Sequence, residues 1–299
     1  MNNRIRQNVL PVIAAAIWGT AFVAQSITAD VLGPFTVTAS RSAIAAVFLL
    51  VVIAFMNFSR RKKATPIIKD KAYNKNLILG GICCGAALFA ASNFQQLGLA
   101  DTSPGKAGFI TALYIVIVPI LGIFIGKKAP ITVWVAVIIA VMGLYLLCVT
   151  EQFTVALSDC YVLICALLYA IHILVIDRFT NLVDGVELSC LQFFTCFVLS
   201  LICALIFENN TWNELVSCAL PILYIGVFSS GVAYTLQIIA QKDSNPTVVS
   251  ILLSLESVFA VLAGAVVLNS TLSEREYLGC ALMLAAVILA QIPKKKCLK

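Results

Sequence analysis

The chain has 299 residues, 61% of them apolar and only 11% charged, with a net charge of +6. Soluble domains run at about 45–50% apolar and about 25% charged, so this composition excludes an ordinary soluble globule and makes lipid the solvent for much of the chain. The sequence also lacks a G-x-x-x-x-G-K-[S/T] phosphate loop, H-E-x-x-H, G-x-S-x-G and C-x-x-C, so nothing in it points to ATP drive, an intramembrane protease, a serine hydrolase, a zinc site or a redox pair.

A helix crosses a bilayer with about 20 mainly apolar residues, because it satisfies every backbone group within itself. Such stretches are expected near 9–29, 34–57, 76–98, 103–126, 130–149, 158–180, 184–207, 219–241, 245–268 and 274–292, which makes ten. The first is long, and no small-residue cleavage site followed by a soluble domain comes after it, so it is read as a retained span and not as a secretory signal. Lys and Arg that flank spans are held on the cytoplasmic side. With the amino terminus inside, 17 of the 20 basic residues fall inside, including the run Arg60 to Lys75. Lys106 and Arg275 fall outside, and Arg41 lies within the second span. Both termini are therefore expected in the cytoplasm, in a multi-pass protein of the bacterial plasma (inner) membrane. The basic run between two spans suits anionic lipid headgroups and not nucleic acid. Eight of the eleven cysteines fall inside spans, where they act as small soft hydrophobes.

A repeat divides the chain. Gln95 is followed six residues later by Asp101-Thr102-Ser103-Pro104, and Gln237 six residues later by Asp243-Ser244-Asn245-Pro246, an offset of 142 without a gap. The same offset pairs Leu113 with Leu255, Val116 with Val258 and Gly122 with Gly264. Near the start of each half the offset becomes 151, matching Trp18 to Tyr169 and Arg41 to Gln192, and the difference falls in the longer basic loop. Residues 1–150 and 151–299 thus read as two five-span units. Because five is odd, the second unit lies upside down relative to the first, which is an architecture of transporters. Asp101 and Asp243 read first as residues that organise the starts of the following helices, with each Pro suited to the first turn.

Ionisable groups at membrane depth cost about 2.5–3.5 kcal/mol on insertion scales, so each needs a reason. Arg41, His172 and Glu256 are the clear cases. Glu256 comes ten residues after Pro246, about 15 Å into its helix at 1.5 Å per residue. It reads either as a carrier of protons or binder of an amine, or as a structural group paired with Arg41 or His172. His172 reads as a cavity residue or as a buried neutral imidazole. Arg41 reads as a snorkelling or paired cation, or as a contact for substrate. Amides and rings recur at helical spacing: Trp18, Phe22 and Gln25 share one face, Tyr169 and His172 another, and Tyr234, Gln237 and Gln241 a third. On the third span the repeat selects Gln95 over Gln96 as the inward amide. With Tyr114, these residues fit a pocket for a small, partly aromatic or zwitterionic solute, or polar glue between helices. Ser250, Ser254 and Ser257 read as a small-residue packing stripe that leaves Glu256 on a different face.

Ala16-Ile17-Trp18-Gly19-Thr20-Ala21-Phe22, Arg41 early in the second span, and Leu255-Glu256-Ser257-Val258-Phe259-Ala260 with Gly264 resemble the EamA branch of the drug/metabolite transporter superfamily. The resemblance implies an all-α membrane protein, ten helices in two inverted repeats around a central cavity, that exports amino acids or other small metabolites. Where that family commonly has Glu-Pro this chain has Glu256-Ser257, and a straighter ninth span is expected from the lost proline. It also has Asn269-Ser270 in place of Gly-Glu. The expected substrate contacts are Trp18, Gln95, Tyr114, Tyr169, His172, Tyr234, Gln237 and Glu256, with Glu256 as the proton-coupling candidate. No cofactor, metal, nucleic acid or enzymatic activity is expected; the partners are a small-molecule substrate and membrane lipids, and the oligomeric state is left open. Exchange of nucleotide sugars or other organic anions, a channel, and a membrane scaffold are the alternatives. Polyphosphates call for Arg or Lys clamps, for which Arg41 and Lys106 are the positioned cations.

Overall fold

The computed structural model describes residues 3–62, 70–102, 104–127, 129–148, 156–268 and 273–291. Among them there is no strand, and helix runs through each of the ten expected stretches: α1 Asn3–Ala29, α2 Pro34–Lys62, α3 Lys71–Leu99, α4 Pro104–Ala112, α5 Tyr114–Phe124, α6 Ile131–Cys148, α7 Leu157–Phe179, α8 Gly185–Phe207, the short α9 Trp212–Ser217, α10 Ala219–Tyr224, a π-helical segment Ile225–Ala233, α11 Tyr234–Gln241, α12 Pro246–Leu253, α13 Glu256–Leu268 and α14 Glu274–Ala290. Eight helical stretches are long and apolar enough to cross a membrane, while α6 is a shorter apolar helix. The outer faces carry Phe55, Phe124, Leu205 and Phe207 largely exposed, a surface that suits acyl chains and not water. The protein is an all-α, multi-pass membrane protein.

Helix pairs from the two halves of the chain interleave. α3 packs between α7 and α8, α2 lies on α8, α1 on α13, and α6 on α14. The α1–α13 contact depends on Gly19, where an added Cβ would stand 2.7 Å from the Ala260 nitrogen and 2.7 Å from the Glu256 carbonyl oxygen. Helix backbones come that close only over a residue without a side chain.

Polar ties lie at the two ends of the bundle. At the end where α1 begins, Arg6 Nη2 meets Asp243 Oδ2 at 3.1 Å, Arg60 Nη2 meets Asp184 Oδ2 at 3.0 Å, and Lys127 pairs with Asp177. At the other end Lys106 Nζ lies 2.5 Å from Asp159 Oδ2. There Glu208, just beyond α8, accepts from the backbone N–H groups of Phe35 and Thr36 at 2.8 Å each, satisfying the open donors at the start of α2. Of the two repeated aspartates, Asp243 does not cap the helix that follows it. Asn245, not Asp243, caps α12, accepting from the Thr247 N–H at 2.9 Å, because the cap is the residue immediately before a proline in the first turn. Asp243 holds a left-handed backbone, φ 58°, and ties to Arg6. Asp101 is an exposed turn residue, and Ser103 lies outside the described residues.

The ninth expected span is broken despite having lost its proline. The helix stops at Leu253 and restarts at Glu256. Around the break the N–H of Leu255 reaches the carbonyl of Leu252 and that of Ser257 reaches Ser254, three residues back instead of four. The hydroxyls of Ser250 and Ser254 each donate to a carbonyl three residues earlier, at 2.8 Å. Serines that bond back in this way tighten and bend a helix without help from a proline. The repeat-related helix breaks at the corresponding position: α4 ends at Ala112 and α5 begins at Tyr114, around Leu113.

Candidate functional site

The two helix breaks face each other. Tyr114 opens α5 and Glu256 opens α13, and the Tyr114 hydroxyl donates to Glu256 Oε1 at 3.2 Å across 142 residues of sequence, the offset of the repeat. They flank a narrow central cavity of about 40 Å³. Five pairs of repeat-related residues line it: Trp18 with Tyr169, Phe22 with Ile173, Gln95 with Gln237, Thr111 with Leu253, and Tyr114 with Glu256. Gln25, Arg41, Ser229 and Tyr234 complete the lining.

Hydrogen bonds fix most of these side chains. Tyr234 donates to the Tyr169 hydroxyl at 3.1 Å, Tyr169 donates to Gln95 Oε1 at 3.2 Å, and Gln95 Nε2 donates to Thr111 Oγ1 at 3.4 Å. The Trp18 ring stands edge-on to Tyr234 with centroids 4.7 Å apart, and its Nε1–H donates to the Ser229 carbonyl at 3.2 Å. That carbonyl belongs to the π-helical segment, whose wider turns release backbone acceptors from the usual four-residue ladder. Gln237 Oε1 is buried without a partner among the described residues. On the other amide of α3, Gln96 turns away and donates to the Gln25 carbonyl at 3.0 Å, so Gln95 is the inward one.

Arg41 is 3% exposed and, among the described residues, meets no carboxylate. Its Nε donates to Ser230 Oγ and its Nη1 to Gln25 Oε1, both at 2.9 Å. Glu256, 5% exposed, pairs with neither Arg41 nor His172; its bonded partner is Tyr114.

Seven of the eight expected contacts, Trp18, Gln95, Tyr114, Tyr169, Tyr234, Gln237 and Glu256, line the cavity. His172 does not. It is wholly buried one layer behind, its Nε2 3.1 Å from Gln192 Oε1 and its ring edge-on to Tyr234 at 6.0 Å. It shares a helix with Tyr169, but three residues of helix turn it by about 60° away from that ring's direction. Phe22 and Gln25 line the cavity beside Trp18, whose helical face they share, and Ile173 sits one turn from Tyr169, accessible to the same periodicity. Arg41 was marked by its depth. Ser229 enters through its backbone carbonyl, for which sequence carries no signal. Among the described residues no group of three or more His, Cys, Asp or Glu is placed to hold a metal ion.

The model of the EamA-like transporter family matches this chain twice, over residues 7–149 and 156–291. The chain belongs to that family. An uncharacterized transporter of Archaeoglobus fulgidus is 30% identical over 284 residues, covering 94% of this chain and 84% of that one. A protein known from a crystal structure shares the fold with a TM-score of 0.76 over 95% of this chain and 96% of its own, at 18% identity. The protein is thus a membrane transporter.

Proposed function

We propose that this EamA-family protein is a secondary carrier that moves a small organic metabolite across the bacterial plasma membrane by alternating access. Its two halves, residues 1–150 and 151–299, act as inverted five-span units, with α6 and α14 completing ten passes and both termini in the cytoplasm. The observation that carries this reading is the cavity. It is lined by matched residues from both halves and flanked by two broken helices at equivalent positions. Broken helices at the interface of repeats supply backbone and side-chain groups at membrane depth, where a carrier needs them. The narrowness of the cavity fits a cycle in which the halves part to admit solute.

Glu256 is the coupling residue in this reading, exchanging a proton or meeting a cationic group of the solute. The ion pairs Arg6–Asp243 and Lys106–Asp159 close the cytoplasmic and outer ends in turn. Each joins the first helix of one half to the start of the fourth span of the other. Exchange of polyphosphate anions fits less well, because Lys106 is held by Asp159 outside the cavity lining and leaves Arg41 as the lining's cation. Purified protein in proteoliposomes, assayed for solute uptake at several pH values, tests the coupling role: uptake by Glu256→Gln with wild-type rate and wild-type pH dependence would remove it.

A further inference from the structure

Arg6, Arg60, Lys106 and Lys127 each meet an aspartate where they reach between elements of the structure. Arg41 is more deeply buried than any of them and, among the described residues, meets only neutral oxygens, those of Ser230 and Gln25. A guanidinium carries five N–H donors in a planar fork suited to a carboxylate. Here two of the five are engaged, Nε and one N–H of Nη1, and Nη2 has no partner among the described residues. The group lines the central cavity, so a solute can reach its open edge. Burying a cation at this depth without a counter-charge is costly, and a counter-charge that arrives with the cargo removes that cost.

We propose that Arg41 reads the cargo: it docks one carboxylate of the transported solute on Nη2, while Gln25 and Ser230 hold the guanidinium in plane. This rests on the carrier reading above and narrows it to carboxylate-bearing solutes. The matched position in the second half is Gln192, which is neutral and bonded to His172, so the cavity offers one such cradle and not two. A single fork suits a single carboxylate; a di- or triphosphate would leave charge unmatched. Glu256 lines the same cavity, and among the described residues its Oε2 has no partner, so a solute with an amine as well as a carboxylate offers a counter-charge to each charged group.

The test uses purified full-length protein and thermal stabilisation by a panel of the twenty common amino acids and their 2-oxo acid counterparts, each beside its amide and its decarboxylated analogue. Comparing compounds on the wild-type protein needs no variant to fold. At least one carboxylate is expected to stabilise the protein, with its amide needing about tenfold or more higher concentration for the same shift. In Arg41→Gln the acid and amide are expected to converge, and Arg41→Lys to fall between. The proposal is overturned if no carboxylate in the panel binds, if amides bind as tightly as acids, or if a folded Arg41→Gln keeps the preference. Counterflow of a metabolite extract separates the two failures. Saturable exchange of solutes that lack a carboxylate keeps the carrier and removes the role of Arg41, whereas no exchange of any solute removes the carrier.

Discussion

The two halves of the cavity lining match in position and differ in chemistry. Trp18 and Tyr169 are both large rings, and Gln95 and Gln237 are both amides. The charged places break the match: Arg41 in the first half answers to Gln192 in the second, and Glu256 in the second answers to Tyr114 in the first. Duplication accounts for the frame, with a helix break at the matching position in each half. The two opposite charges were placed independently of it, the cation from one half and the carboxylate from the other.

That comparison breaks most sharply at Glu256. Glu256→Gln is expected to lower uptake into proteoliposomes by about 10–100-fold, the loss of a charged hydrogen-bonding group, and to flatten its pH dependence. Tyr114→Phe leaves the carboxyl in place and removes one donor to it, so uptake is expected to fall by less than about tenfold with the pH profile shifted but not flattened.

The next contrast is structural. Gly19→Ala forces a methyl against the backbone of α13 beside Glu256 and is expected to destabilise the protein by about 1–3 kcal/mol, read as a lower melting temperature in detergent. Gly108→Ala in α4 meets nothing closer than Ser257 Oγ at 4.0 Å and is expected to be neutral or stabilising. Equal losses for the two glycines would mean that the close approach of α1 and α13 is not what Gly19 provides.

Gln192→Leu removes the partner of buried His172 and is expected to cost about 1–3 kcal/mol of stability with no change in solute preference. That outcome sets it apart from its repeat mate Arg41. The smallest effects lie at the ends. Lys106→Gln leaves Asp159, 6% exposed at its side chain, without its cation, whereas Arg6→Gln frees Asp243, 61% exposed. The second change is expected to cost less than about 1 kcal/mol, and the first clearly more.

Much of the fold was legible in sequence because lipid imposes one rule, backbone satisfaction within each apolar stretch, and all ten expected stretches are helical. The inward choice of Gln95 over Gln96 was legible too, since the repeat supplied a second copy to vote. Three features were not. The break before Glu256 persists without the family's proline because Ser250 and Ser254 supply the bend through hydroxyl bonds to the backbone, which no proline count anticipates. The π-helical segment that aims the Ser229 carbonyl at Trp18 is a matter of turn width, and apolar periodicity is silent about it. His172 shared a helical face with Tyr169 only approximately, and about 60° of rotation is enough to move a side chain from a cavity wall into the layer behind it.

Counterflow tests the carrier most directly. Proteoliposomes are loaded with a concentrated unlabelled metabolite extract, and a trace of the same extract labelled with heavy carbon is added outside and followed by mass spectrometry. The account predicts that at least one labelled solute rises transiently above its outside concentration and then falls back, and that Glu256→Gln loses the overshoot. Labelled solutes that only level with the outside, at the same rate as in protein-free vesicles or without saturation, would contradict it.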